Sequence, residues 1–322
     1  MTFSFESHFA SRIANFIAQK RALGFLYNDG EKFLYRFDKY CIDKFPDEDR
    51  LTKEICLSWA VKRITEVSSS FRNRLGPIRE FAKYLNGLGE SAYVITNKYG
   101  KERVRLIPYI YSEEEIAAIW NAMDHIKPNS RYPVHHLVVP AYIRLLYCCG
   151  LRPCEAFRLK VNEVDLTTGK IYIRESKGHK DRMIMLASDV RDYYCDYNAQ
   201  ILRHIPGRKF FFSDSSDMLY PQQAIRRQFG LVKTELSIRK IGATSPRLYD
   251  FRHTFATHRL YQWLNEGKDL SVMLPYLSAY MGHAKLSATY YYLHLVPGQL
   301  KTMSGLDFSR YEELLPEVES DE

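Results

Sequence analysis

No stretch of this 322-residue chain stays apolar for the roughly 20 residues that a bilayer-spanning helix needs. A helical membrane protein is therefore not expected. The first residues, Met1 to Phe16, carry no basic leader followed by an apolar run, so no secretory signal is expected. Cysteine is sparse, at six residues: Cys41, Cys56, Cys148, Cys149, Cys154 and Cys195. None forms a CxxC pair, which argues against a disulfide framework or a zinc ribbon and for reduced core thiols in a cytoplasmic protein. His135 and His136 are adjacent, so they do not share a helix face, and no metal cluster or other cofactor site is expected. Internal repeats and low-complexity tracts are also missing.

Hydrophobic residues make up 46% and charged residues 26%, a balance that folds rather than stays disordered. The length suits two domains better than one core. Charge is uneven. The whole chain carries +8, while residues 306–322 hold seven acids and one base, −6, which leaves +14 on residues 1–305. A basic body of that size suits a polyanion, because each phosphate neutralised releases condensed counterions.

Apolar periodicity predicts a mainly helical protein with one small antiparallel sheet. Over residues 1–95, four stripes recur at helical spacing: Phe9, Ile13, Phe16 and Ile17; Phe33, Leu34, Phe37 and Cys41; Ile55, Trp59 and Ile64; Phe71, Leu75, Ile78, Phe81 and Leu85. The fourth also bears Arg72, Arg74, Arg79 and Lys83, either a solvated face or a phosphate-contacting one, and the segments further along the chain favour the second. Residues 96–110 lose the helical rhythm and gather Lys98, Lys101, Arg103 and Arg105, the pattern of a basic linker. A second domain is expected over 111–305, followed by an acidic tail, 306–322. It opens on Ser112 and Glu115, a capping box. A helix is expected from about Val134 to Cys149, then strands over 164–168, 170–175 and 181–186 around turns at Gly169 and Lys177-Gly178. Helices follow, with Pro221 and Pro246 placed for first turns.

Four separated segments carry candidate chemistry. Gly150-Leu151-Arg152-Pro153-Cys154-Glu155 lies between two helices, and Ser176-Lys177-Gly178-His179-Lys180-Asp181-Arg182 lies in a hairpin turn. Tyr249-Asp250-Phe251-Arg252-His253 opens a helix that continues to His258. Met281-Gly282-His283 precedes Ser287 to Thr289 and then Tyr290-Tyr291-Tyr292. Each alone has a plain structural explanation: an i,i+3 ion pair of Arg152 with Glu155, a solvated turn lysine, surface helix residues, a helix-end cap.

Together, and in this order, the segments resemble the tyrosine recombinase (phage integrase) family over residues ~110–295. The family pattern is an arginine with an acid three residues on, a hairpin lysine, a His/Lys-x-x-Arg motif, a Gly-His pair, and a tyrosine nine residues after that histidine. Arg152 and Glu155, Lys177, Arg252, Gly282-His283 and Tyr292 match in turn. Tyr249 departs, standing where the family has histidine or lysine. A phenol donates a hydrogen bond well but accepts a proton poorly near neutrality. Either Tyr249 only orients the phosphate, or another group, such as His253 or His258, takes the proton.

The resemblance implies a helical core-binding domain on DNA and a mixed α+β catalytic domain. It implies a Tyr292 nucleophile that forms a 3′-phosphotyrosine link and needs neither metal nor ATP. Arg152, Arg252 and His283 would hold the phosphate, Lys177 would protonate the leaving oxygen, and Glu155 would buttress Arg152. Lys180 and Arg182 would contact the DNA backbone. The implied partners are double-stranded recombination sites, three further copies in a tetramer, and accessory recombination proteins. The tail, with Tyr311, Leu314 and Leu315, would dock on a neighbouring copy. The compact architecture resembles Xer-like and transposon-borne members, and Tyr249 tilts the reading toward integration or transposition of a mobile element. Dimer resolution, a relaxing topoisomerase and a non-catalytic DNA-binding relative are the alternatives.

Overall fold

A computed structural model describes residues 3–99, 107–174, 181–238 and 245–295. The chain separates into two units, residues 1–106 and 107–322. No described helix is long and apolar enough to cross a membrane.

The first unit packs α1 (Ala10–Ala22), α2 (Asn28–Lys44), α3 (Lys53–Trp59) and α4 (Ser68–Gly87) around one core. Phe9, Phe16, Phe37 and Phe81 meet at its centre, as their helical spacing requires. The buried Asp38 accepts the backbone N–H groups of Glu6 and Ser7 at 3.0 and 3.1 Å, fixing the chain as it enters α1. The third expected stripe is shorter than its spacing suggested. Helix α3 ends at Trp59, and Ile64 stands fully exposed in the following loop.

The basic face of α4 divides. Arg72 is half-buried and Lys83 exposed, whereas Arg74 is 3% exposed. Arg74 donates to Glu66 at 2.8 and 2.7 Å and to the Val61 and Trp59 carbonyls, with its guanidinium over the Trp59 ring. Its donors are spent on the α3–α4 loop, so the expected phosphate contact does not hold for Arg74. Arg79 is likewise committed, to the carbonyls of Ile95, Thr96 and Tyr99.

In the second unit, α5 (Glu113–Asp124) begins with the expected capping box: Ser112 Oγ accepts Glu115 N–H, and Glu115 accepts Ser112 N–H. Helix α6 (His135–Cys148) is buried on nearly every side by Val138, Val139, Tyr142, Ile143, Leu145 and Leu146. After the short α7 (Pro153–Arg158) come β1 (Val164–Asp165), β2 (Lys170–Ile173) and β3 (Arg182–Met185), an antiparallel sheet in the order 1-2-3. Ile171, Ile173 and Ile184 point to the core, while Tyr172, Met183 and Met185 face out, the period of two that a half-buried sheet demands. Strands β1 and β2 begin where expected but end early, and β3 is one residue shorter at each end.

Helices α8 (Ser188–Leu202), α9 (Gln222–Glu235), α10 (Asp250–Asn265), α11 (Leu270–Met281) and α12 (Ser287–Tyr290) complete the unit, with a 3-10 turn over Tyr291–Leu295. Pro221 caps α9. Pro246 lies four residues before α10, because Arg247 and Asp250 close a turn of their own at 2.7 Å. A satellite apolar cluster joins Leu260, Leu264, Leu274, Leu277 and Met281 to Tyr292 and Leu293.

Candidate active site

Gly150 takes a positive φ of +58°, and a Cβ there would lie 2.3 Å from the Phe255 ring. Only glycine can make this turn so close to α10. The chain then extends through Arg152 into α7, whose first residue is Pro153, with φ already helical. Glu155, at the third position, accepts Arg152 N–H at 2.9 Å and Arg152 Nη1 at 2.7 Å. The same carboxylate receives both terminal nitrogens of Arg182 from β3, at 3.0 and 2.8 Å. Burial alone would raise the pKa of Glu155. The Arg182 and Arg152 donors outweigh burial and bring it down to about 2.

Arg182 also donates through Nε to the Tyr280 carbonyl at 2.8 Å, and its side chain is 9% exposed. Its donors face inward, so the expected DNA contact at Arg182 is replaced by a clamp between the sheet, α7 and the end of α11. Lys177 and Lys180 lie outside the described residues, as do Lys101, Arg103, Arg105 and the tail. Lys98 is exposed.

Arg252 is fully buried. It donates to the Gly150 carbonyl at 2.6 Å and to the Met281 carbonyl at 2.7 Å. One guanidinium thus ties the first, third and fourth sequence segments together. Burial lowers its pKa, yet an arginine stays charged. Its Nε has no partner among the described residues. Gly282 ends α11 in the left-handed region, at φ +66°, and a Cβ there would press on Arg182 Nη1 at 2.8 Å. Arg152 Nη2 donates to the Gly282 carbonyl at 2.9 Å.

Tyr292 is 3% exposed, and its ring stacks on His283 with centroids 6.0 Å apart. Burial raises the pKa of the phenol, the neighbouring Arg252 pulls it down, Tyr249 raises it and Arg152 pulls it down again; the net value is about 12. Tyr290 and Tyr291 are only half-buried, while Tyr292 is buried beside Arg252. Tyr249, 38% exposed, lies beside Arg152, with its ring 5.1 Å from that of His253. His253 is 5.6 Å from Tyr292, ring to ring. His258 is held by Tyr147 at 3.0 Å, a packing contact between α6 and α10. Burial and the surrounding arginines push His253 to about 4 and His283 to about 3, so both rings are neutral at physiological pH.

Three guanidinium groups against one carboxylate leave a surplus of positive charge around a buried phenol, a setting made for an anion. Sequence reasoning missed the inward role of Arg182, the Arg247–Asp250 pair and Thr289, whose hydroxyl lies 2.7 Å from His283 Nδ1. It also missed a cleft of about 550 Å³ beside Tyr249, walled by Pro153 and Phe229 and rimmed by Arg226, Lys233 and Arg247.

The pattern of the phage integrase family matches residues 111–298. A putative integrase/recombinase, y4rB, of Sinorhizobium fredii is 29% identical over 92% of this chain and 95% of its own. The tyrosine recombinase XerD of Pseudomonas putida is 30% identical over 77% of this chain and 78% of its own. Among solved structures, the XerH site-specific recombinase bound to a palindromic difH substrate matches with a TM-score of 0.62 at 19% identity, covering 85% of this chain and 78% of that one. The chain belongs to the phage integrase family of tyrosine recombinases, whose members carry out site-specific recombination.

Proposed function

We propose that this protein cuts and rejoins double-stranded DNA at specific sites through a covalent 3′-phosphotyrosine at Tyr292, and that it serves the integration, excision or transposition of a mobile element. The observation that carries the reading is the Tyr292 phenol lying beside the guanidinium groups of Arg252 and Arg152 within one unit. Tyr292 Oη attacks phosphorus, and the bond from phosphorus to the 5′-oxygen breaks. The departing oxygen takes a proton from Lys177, and as the new bond forms the phenol passes its own proton to the neutral ring of His253, whose centroid lies 5.6 Å from that of Tyr292. Arg152, Arg252 and His283 stabilise the charge that builds on the non-bridging oxygens. Tyr249 orients the phosphate as a donor. Glu155 holds Arg152 in place. The phosphotyrosyl ester stores the bond energy, so a 5′-hydroxyl of a partner strand completes exchange without ATP or a metal.

Arg72, Lys83, Lys98, Lys101, Arg103, Arg105 and Lys180 supply contacts to the DNA backbone, and four copies assemble on two sites, with accessory recombination proteins where the sites require them. In the cell the enzyme works on the bacterial nucleoid. The near full-length match to an integrase/recombinase supports the mobile-element role. The XerD match favours a second reading, resolution of chromosome or plasmid dimers. Terminal repeats flanking the coding region separate the two. The chemistry is tested with a nicked suicide substrate: Tyr292→Phe should abolish the covalent adduct while DNA binding persists. An adduct that survives this change sinks the assignment.

A further inference from the structure

Thr289 is fully buried on α12, three residues before Tyr292, and its Oγ1 lies 2.7 Å from His283 Nδ1. A threonine hydroxyl inside a helix commonly turns back onto the carbonyl four residues earlier. Thr254 and Thr257 do so in α10, at 2.9 and 3.0 Å. Thr289 makes no such bond among the described residues, so its proton is available to the imidazole. His283 stacks on Tyr292, and its burial, with Arg252, Arg152, Arg182 and His253 around it, makes a positive charge on its ring unfavourable. A neutral imidazole carries one N–H, and which nitrogen bears it is set by the partner of the other.

We propose that Thr289 is a positioning residue that donates its hydroxyl proton to His283 Nδ1 and thereby fixes the tautomer with the hydrogen on Nε2. In that state His283 presents a donor, and not a lone pair, to the substrate phosphate. The same bond ties the imidazole to the turn that carries the nucleophile, so phosphate donor and attacking oxygen move as one body. This rests on Tyr292 being the nucleophile.

The test has two arms. In full-length ¹⁵N-labelled protein near neutral pH, long-range proton–nitrogen correlation, with the His283 signals identified by their loss in His283→Gln, should show Nδ1 unprotonated and Nε2 protonated. Thr289→Val, which keeps the shape and removes the hydroxyl, should mix the two tautomers. It should also slow adduct formation on a suicide substrate by roughly tenfold to a hundredfold, the scale seen when the partner that orients a metal-bound histidine is removed, with DNA affinity unchanged. Thr289→Ser should restore most of the rate. A proton found on Nδ1 in the unaltered protein, or a Thr289→Val enzyme cutting at the parent rate, overturns the proposal. Absence of any adduct from the unaltered protein would instead count against the Tyr292 reading, and the tautomer measurement would still decide the role of Thr289.

Discussion

Glu155→Gln isolates the clamp at the heart of the second unit. The carboxylate receives four donors, two from Arg152 and two from Arg182, and its side chain is 4% exposed. The amide keeps the shape, loses the charge and turns an NH₂ toward a guanidinium. Lowering the carboxyl from 4.5 to about 2 corresponds to about 3 kcal/mol, at 1.36 kcal/mol per tenfold. Removing one partner of a buried ion pair typically costs about 3–5 kcal/mol, which agrees. A unit of this size loses ~2–4 °C per kcal/mol, so its melting point should fall by roughly 10 °C. Calorimetry can follow the second unit, whose core is separate from that of the first. Because the folded value is the lower one, the contribution is complete above 4.5 and fades as pH falls through about 2. The gap between parent and Glu155→Gln should therefore close on acidification. A variant melting within about 2 °C of the parent at neutral pH, or a gap that widens in acid, would refute the reasoning.

Three other outcomes are expected. Arg74→Met should lower the melting point of the first unit by removing the buried partner of half-buried Glu66, whereas Lys83→Ala should leave it unchanged and weaken DNA binding at low salt; equal melting points for the two variants would contradict this. Gly150→Ala forces a methyl group onto Phe255 at a positive φ and should destabilise by about 1–3 kcal/mol, read by denaturant titration. Lys177→Ala should cut a normal phosphodiester poorly yet cut a substrate with a 5′-bridging sulfur at close to the parent rate, since a thiolate leaves without a proton; a defect equal on both substrates would remove Lys177 from the leaving-group role.

Much of the site was legible because its logic is local. The Ser112–Glu115 box and the Arg152–Glu155 pair are three residues apart, and the nine residues from His283 to Tyr292 are countable in the sequence. The helical stripes of α1, α2 and α4 were legible for the same reason. What escaped notice depends on partners distant in sequence. Nothing in the sequence distinguishes Arg74 from Arg72, because its destination is Glu66 and the carbonyls of Trp59 and Val61. Arg182 looked like a DNA contact because Glu155, 27 residues away, and the Tyr280 carbonyl, 98 away, are not visible from a hairpin. Ile64 continued a stripe past Trp59 because periodicity does not mark where the backbone leaves the helix. Thr289 lay within a quoted motif, but its neighbour is defined only once the chain turns at Gly282.

Arg252 holds Gly150 and Met281 by their carbonyls while standing next to the phenol of Tyr292. On the proposed mechanism, architecture and chemistry share this one side chain, and at that position they cannot be lost one at a time. A lineage drifting from strand cutting toward mere occupancy of a site can discard the tyrosine hydroxyl at small structural expense. Discarding the arginine would leave two buried carbonyls without donors and loosen three segments together. Silent descendants of such an enzyme should keep their arginine long after their tyrosine has gone.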